Sequence, residues 1–564
     1  MKKLIECVPN FSEGRDMQII RQITDAIESV EGVRLLDVDP GAATNRTVVT
    51  FVGEPEPVCQ AAFLAVQKAA ELIDMSRHHG EHPRMGATDV LPLVPIANVT
   101  MEECAEYARA LAARVGNELA IPVYCYESAA YIEERRNLAV CRQGEYEGLA
   151  ARFAQPRWKP DFGPSEFNSG VARTGATAVG ARDFLVAINY NLNTTSTRRA
   201  NSIAFDVREK GRKLREGDPI TGPVVKDAEG REVWVPGTLK GCKAIGWYIE
   251  EYGIAQVSMN VTNISATPVH TAFDEVCDKA RRRGIRVTGA EIVGLIPKKV
   301  LTDAGRHYLA LQGRSCGIPE ADLVKIAVKS MGLDDLKPFN PREKVIEYIL
   351  EDADKKPLLA DLSVKGFAEE TSRESPAPGG GSIAAYMGAL AAALGTMVAN
   401  LSSHKRGWDS RWKEFSDVAE EGEKLMYELL ALVDEDTAAF NRIMAALGMP
   451  KGNDAEKAER GAALQAATEY AARVPLKTMK AALRCFDICG AMAEKGNPAS
   501  VSDAGVGALA ARSAVLGAHL NVRINALGLK DRSVADALIA EASEMAALAI
   551  RRESEILKIV EEKL

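Results

Sequence analysis

From about residue 359 to its end the chain is written largely in alanine, and no other feature limits the fold so tightly. Residues 501–550 hold 14 alanines and a single aromatic-like ring, His519. Alanine has the highest helix propensity and lets helix backbones approach closely, so this region should pack helix on helix. The spacing predicts helices over 382–401, 413–447, 455–473, 475–495, 502–527 and 532–563, separated by short Gly/Pro breaks. The fold class expected here is an all-α helical bundle.

The first ~340 residues mix Gly, Pro and β-branched residues instead. A strand over 4–8 is stopped by Pro9, and Ile19, Ile20, Ile23 and Ile27 mark a helix within 16–30. Strands at 33–38 and 46–52, a helix over 58–73 and a strand at 89–94 complete a β-α-β-β-α-β order, the ferredoxin-like pattern. A helix over 102–115 and a strand at 122–126 follow. The same order returns with a strand at 184–190, a helix over 196–215, strands at 243–250 and 254–261, a helix over 271–283 and a strand at 291–296. The expected organisation is α+β: two such lobes, 1–181 and 182–350, with a cleft between them. A charged linker over 351–358 then leads to the bundle, 359–564.

A chain of 564 residues is too long for one core, so several domains fit its length. A net charge of −8 lacks the basic surplus of a general nucleic-acid binder, so no nucleic-acid partner is expected. The longest apolar run, 387–399, is short for a bilayer. Glu6 puts a charge where a signal peptide needs apolar residues, which makes the expectation cytoplasmic, without a membrane partner. The ten cysteines include no CxxC pair, and Cys485 and Cys489, one helical turn apart, read as small core residues.

Three of the seven histidines fall together in Arg77-His78-His79-Gly80-Glu81-His82-Pro83-Arg84-Met85-Gly86. One of them near neutral pKa on a loop, oriented by Glu81 or Asp39, suits acid–base work. His78 and His82 are also four apart, as in zinc-binding helices, although Gly80 and Pro83 disfavour a helix. A plain polar loop is the third reading. Pro160-Asp161-Phe162-Gly163-Pro164, with Gly170 and Gly175 beyond it, offers either close backbone approach for a flat ligand or an ordinary loop. Ser375-Pro376-Ala377-Pro378-Gly379-Gly380-Gly381-Ser382 has exposed N–H groups suited to an anion, and Ser382 placed to cap the next helix. Asp434 and Asp436 lie in a largely apolar helical stretch and cannot both face one way. One of them pointing inward would have a raised pKa suited to proton transfer. The break at Gly496-Asn497-Pro498 is a candidate lining for the same pocket.

Val8-Pro9-Asn10-Phe11-Ser12-Glu13-Gly14, the histidine segment, Pro160–Pro164 and Ile245-Gly246-Trp247-Tyr248 resemble glutamate formimidoyltransferase. Ala377–Ser382 and Val433–Phe440 resemble formimidoyltetrahydrofolate cyclodeaminase, and the set in this order is similar to the bifunctional formimidoyltransferase-cyclodeaminase family. The resemblance implies two successive folate reactions of histidine degradation. The formimidoyl group passes from N-formimidoyl-L-glutamate to N5 of tetrahydrofolate, releasing glutamate. N10 then closes on the same carbon, ammonia leaves and 5,10-methenyltetrahydrofolate forms. It further implies His82 and Asp436 as catalytic residues and folate contacts at Gly163, Pro164, Gly170, Gly175 and Gly237. The Gly379-Gly380-Gly381-Ser382 turn is expected to hold the pteridine or its tail. The segment 167–175 looks longer than the family form. Tetrahydrofolate is expected as a polyglutamylated co-substrate, with no metal, and the family association is a homo-oligomer, an octamer. A bundle acting as methenyltetrahydrofolate cyclohydrolase, or a metal module at the histidines, is the alternative.

Overall fold

The computed structural model describes residues 3–41, 45–79, 84–218, 221–353, 358–375 and 377–564. The chain forms two compact units, Met1–Pro297 and Lys298–Leu564. In the first unit β1 (Leu4–Cys7) and β2 (Asn10–Phe11) run end to end, parted by Val8-Pro9. Then come α1 (Met17–Glu28), β3 (Val33–Gly41), β4 (Arg46–Gly53), α2 (Pro55–Leu72), β5 (Thr88–Ala97), α3 (Met101–Leu119) and β6 (Val123–Glu127). The short helices α4 (Leu138–Cys141), α5 (Leu149–Phe153) and α6 (Ser169–Thr174) lead to β7 (Thr177–Ala181).

Local chemistry explains the boundaries. The Asp16 carboxylate accepts the N–H groups of Gln18 and Ile19 to start α1, and α1 buries Ile20, Ile23 and Ile27. Pro55 opens α2, where its missing N–H costs nothing, and a Thr100–Glu103 capping box opens α3. The sheet order is β3-β4-(β1, β2)-β5-β7-β6. Pairing is antiparallel as far as β5, and β7 is parallel to both of its neighbours. No strand was expected at 177–181. Thr-Ala-Val-Gly-Ala is buried at every position, so it lacks the alternation that marks a half-exposed strand.

The second lobe contains β8 (Val186–Leu192), α7 (Thr197–Val207), a ribbon of β9 (Arg212–Lys213) and β10 (Trp234–Val235), β11 (Cys242–Ile249), β12 (Ile254–Val261), α8 (Val269–Arg281) and β13 (Val287–Val293). Its sheet runs β11-β12-β8-β13, antiparallel throughout. The helix expected over 196–215 stops at Val207, because Arg208 turns to extended backbone and Gly211 takes φ +69°. On β11, Cys242, Ala244 and Gly246 are buried while Lys243, Ile245 and Trp247 are exposed. Asn201 of α7 exchanges two hydrogen bonds of 3.0 Å with the Gly246 backbone, which places α7 on the buried side.

The second unit begins with α9 (Lys298–Leu311), α10 (Glu320–Met331), α11 (Pro341–Lys344) and α12 (Ile346–Ala353). The division at Pro297/Lys298 falls within the stretch 182–350 expected as the second lobe. The Gly317 carbonyl accepts from Asn400, and the Cys316 N–H donates to Ser416, so this stretch is tied to the bundle. Of the expected linker, α12 takes residues up to Ala353, and 354–357 lie outside the described residues.

The bundle comprises α13 (Val364–Thr371), α14 (Gly380–Ser403), α15 (Trp412–Gly448), α16 (Asp454–Lys495), α17 (Val501–Ala526) and α18 (Arg532–Glu561). The two helices expected either side of Pro475 are one, α16. Proline at 475 leaves the Ala471 carbonyl without its helical donor, and Asn525 of α17 supplies an amide N–H at 2.7 Å. Packing is close enough to require glycine: a Cβ on Gly507 would meet Cys489 Sγ at 2.7 Å. Cys485 and Cys489 are free and buried in this core. Among the described residues, α14 alone is long and apolar enough to cross a membrane, more than the run 387–399 implied. Most of its apolar stretch is buried, and Ala384, Ala385, Ala391 and Ala392 pack in the bundle's core.

Candidate active site

In the first unit a cleft of about 1250 Å³ opens between the lobes. The first lobe contributes Asn10, Arg46, Tyr126, Glu127, Arg142 and Glu145, and the second Arg182, Asp183, Lys243, Asn260 and Thr262. The strand alternation aims Lys243 and Asn260, directly opposite each other across β11 and β12, away from α7 and into this space. Burial pushes the Glu127 carboxyl up, and Arg182 opposes that shift. Asn10 is buried and its side-chain oxygen has no hydrogen-bond partner among the described residues. It is therefore a buried acceptor left unsatisfied beside the cleft.

One end of the cleft adjoins a buried polar cluster. His78 Nε2 lies 2.9 Å from the Asn45 carbonyl, and Arg84 Nε donates to His78 Nδ1 at 3.3 Å. The arginine donor makes Nδ1 the acceptor, so Nε2 carries the proton and His78 is neutral. Burial, the largest influence, holds its pKa below the usual histidine value. Arg84 is clamped by Glu147 at 2.7 and 2.9 Å. The Asn45 side chain accepts from the Gly14 N–H at 3.0 Å and donates to the His79 carbonyl at 3.1 Å. A Cβ on Gly14 would lie 2.5 Å from the Arg46 nitrogen and the Gly41 oxygen, so the turn after Glu13 has room for glycine only. Asp89 binds the Met85 N–H at 3.1 Å and is ion-paired with Arg142.

These contacts brace both flanks of the histidine segment. Gly80, Glu81, His82 and Pro83 lie outside the described residues. Both ring nitrogens of His78 are engaged, which counts against its serving as a metal ligand. Among the described residues no group of three metal-ligating side chains converges.

The structure separates the glycines of the expected folate segment. Gly175 (φ +68°) packs on Met85 and Gly86, at the end of the histidine segment. Gly170 sits in α6, whose capping residue is Asn168, so the stretch read as a long loop is partly helical. Gly163 (φ +80°) presses on the Ile121 carbonyl, and Pro164 follows it. Their segment is fastened by Asp161, which pairs with buried Arg135 at 2.6 Å. Neither Gly163 nor Pro164 lines the cleft, nor does Gly237, whose backbone braces the β9–β10 ribbon against Arg208.

In the second unit, Asp436 shares a face of α15 with Leu429, Leu432, Val433 and Ala439. Ser382 donates its hydroxyl to Asp436 at 3.0 Å, in the first turn of α14. Ser382 thus binds the acid rather than capping its own helix, which has Gly379 at the capping position. A Cβ on Gly381 would lie 2.1 Å from Asp436 Oδ1, and one on Gly380 3.3 Å from the Asn521 amide. Burial raises the Asp436 pKa, and the hydroxyl and N–H of Ser382 pull against it. Asp434 points elsewhere and accepts the N–H groups of Leu359 at 2.7 Å and Ala360 at 3.3 Å. Glu435 accepts from Tyr470 and Lys477 at 2.8 and 2.6 Å. The break at Gly496–Pro498 is remote from this site: the Asn497 N–H donates to Ser402, at the other end of α14.

Sequence reasoning missed the cleft's Glu127, Arg142, Arg182 and Lys243, and Asn521 in the bundle. Each is a single polar residue within an ordinary element, with no local pattern to flag it.

Family models match most of the chain. The formiminotransferase domain, N-terminal subdomain, covers residues 4–182, the formiminotransferase domain 187–351, and formiminotransferase-cyclodeaminase 363–544. Formimidoyltransferase-cyclodeaminase of Dictyostelium discoideum is 41% identical over 561 residues, 99% of each chain. Glutamate formimidoyltransferase of Streptococcus pyogenes is 41% identical across 55% of this chain and 95% of its own. Methenyltetrahydrofolate cyclohydrolase of Methylorubrum extorquens is 36% identical across 37% of this chain and 100% of its own. With near-complete coverage on both sides, the chain belongs to the formimidoyltransferase-cyclodeaminase family.

Proposed function

We propose that the protein carries out both folate reactions in sequence. The interlobe cleft transfers the formimidoyl group from N-formimidoyl-L-glutamate to N5 of tetrahydrofolate. Addition of N5 to the amidine carbon gives a tetrahedral intermediate, and the departing glutamate nitrogen needs a proton. His82, between the flanks that carry His78 and Arg84, takes the proton from N5 and returns it to that nitrogen. Arg142, Arg182 and Lys243 offer positive charge to the anionic substrates.

In the bundle, N10 closes on the same carbon. Asp436 takes the N10 proton and delivers it to the leaving ammonia. The observation that carries this reading is the buried Asp436 carboxyl, raised in pKa and held by Ser382 at the glycine turn. Gly379 and Gly380 leave the backbone there accessible to the pteridine or its tail, and Gly381 keeps it close to Asp436.

Both lobes are read as ferredoxin-like. The order β11-β12-β8-β13 supports this for the second, and β3-β4-(β1, β2)-β5, with β7 and β6 added, for the first. A cytoplasmic homo-oligomer, an octamer by family likeness, acting on polyglutamylated folate without a metal, completes the proposal.

The match to a cyclohydrolase over 207 residues supports a second reading, in which the bundle only opens or closes the methenyl ring with water. A coupled assay supplies formimidoylglutamate and tetrahydrofolate and follows methenyltetrahydrofolate absorbance together with ammonia. Ammonia equal to methenyltetrahydrofolate is expected. Ring opening by water without ammonia release from 5-formimidoyltetrahydrofolate would overturn the cyclodeaminase assignment.

A further inference from the structure

The second lobe has a pocket apart from the interlobe cleft. It holds about 540 Å³ and lies between α7 and the β9–β10 ribbon. Arg198, Arg208, Arg212, Lys213, Arg215 and Trp234 line it, and no carboxylate does among the described residues. Arg212 and Lys213 are paired outside it, with Asp206 at 3.2 Å and Glu232 at 2.7 Å. Arg208 and Arg215 reach only the carbonyls of Gly211 and Gly222 among the described residues, and Arg198 has no partner there. Three guanidiniums without a carboxylate therefore face one cavity, in a chain whose net charge is −8.

Such groups repel one another unless an anion lies between them. Guanidiniums are planar forks that match phosphate and carboxylate oxygens. The pocket also has aromatic walls. Phe205 lies beneath Arg208 at 3.9 Å, and Trp234 is 39% exposed with Lys210 4.9 Å from its ring. The cleft uses the opposite side of this sheet, where Lys243 and Asn260 point, so a ligand here would not touch the transferase substrates.

We propose that this pocket binds a small, multiply charged anion whose phosphate or carboxylate groups are joined to a flat ring. The charged groups sit among Arg198, Arg208 and Arg215, and the ring lies on Trp234. The two sources of that chemistry are a nucleoside polyphosphate and an aromatic oligocarboxylate.

Isothermal titration of the full-length protein at low salt tests this with three probes: ATP, inorganic triphosphate, and p-aminobenzoyl oligo-γ-glutamate. Saturable binding of ATP or of the oligoglutamate is expected, tighter than triphosphate and weakened by added salt. The double variant Arg198→Glu/Arg215→Glu should lose at least about tenfold in affinity, while formimidoyl transfer on the same samples is unchanged. Whichever of ATP and the oligoglutamate loses more affinity in this variant identifies the source. Trp234→Ala should bring the ring-bearing probe down to the level of triphosphate. No saturable binding of any probe, or undiminished binding by the double variant, would overturn the site. Triphosphate binding as tightly as ATP and the oligoglutamate would overturn the role of the ring. Absence of transfer in the parent protein would count against the proposed function and leave this result untouched.

Discussion

Polar groups reach the interlobe cleft from strands, turns and short helices scattered between Asn10 and Ser265, whereas the acid of the bundle stands on one long helix facing the first turn of another. In the first unit the segments behind the cleft need separate fastenings: Arg84 its two glutamates, Asn45 the Gly14 turn, Asp161 its arginine. In the second, two helices in contact along their length place Ser382 and Asp436 together, and the glycine beside them removes the side chain that would intervene. A site assembled from loops depends on many remote contacts. A site on packed helices depends on a few small residues at the contact.

The sharpest break in this comparison is functional. Asp436→Asn should lower deamination by roughly 10²- to 10⁴-fold and leave formimidoyl transfer intact, and His82→Ala should do the reverse. Both are read by assaying the two half-reactions on the same sample. Loss of both activities in either variant, with an unchanged circular dichroism spectrum, would refute two independent sites.

Gly381→Ala tests the claim that small residues make the bundle site. Its Cβ would sit 2.1 Å from Asp436 Oδ1, so either the acid or α14 must shift. About 1–3 kcal/mol of stability should be lost, with most of the deamination, as measured by thermal unfolding and ammonia release. Unchanged deamination would mean that the acid acts from another position.

Arg84→Met tests the fastenings of the cleft. It leaves Glu147 and His78 Nδ1 without their donor, so about 1–3 kcal/mol should go. Transfer should fall and deamination persist. Equal loss of both would show that the two sites are not held up separately.

A smaller effect concerns pH. The folded Asp436 keeps its proton above 3.8, the value from which burial raises it. Between that value and its raised folded pKa the native state binds more protons than the unfolded chain, so stability at this group falls as pH rises. Asp436→Asn should therefore gain stability relative to the parent as pH climbs through that window, in denaturant titrations at several pH values. An unchanged difference would mean that the carboxyl is not shifted.

The least effect is expected at the neighbouring acid. Asp434→Ala removes acceptors for two backbone N–H groups, costing about 1 kcal/mol in urea unfolding and leaving deamination unaltered. A fall in activity like that of Asp436→Asn would erase the distinction between the two carboxyls.

Much of this was legible in one dimension. Alanine density implied the bundle, and the 3.6-residue period already separated Asp434 from Asp436, because neighbours two apart cannot share a helix face. Capping residues and prolines placed the starts of α1 and α2 to within a few residues. The misses have physical causes. β7 is buried on both faces and has no alternation, and α16 continues through Pro475 only because Asn525, 50 residues on, satisfies the orphaned carbonyl. What the sequence alone determined is the material of each half, the placing of Asp434 and Asp436 on different helical faces, and the motifs of its family. Only tertiary structure decided that Ser382 binds Asp436, that Gly163 and Gly237 brace backbone while Lys243 and Arg182 face the cleft, and that Trp234 joins the guanidiniums of α7 and the segment after it in one pocket. Those outcomes depend on long-range approach of polar groups, which no local period or propensity encodes.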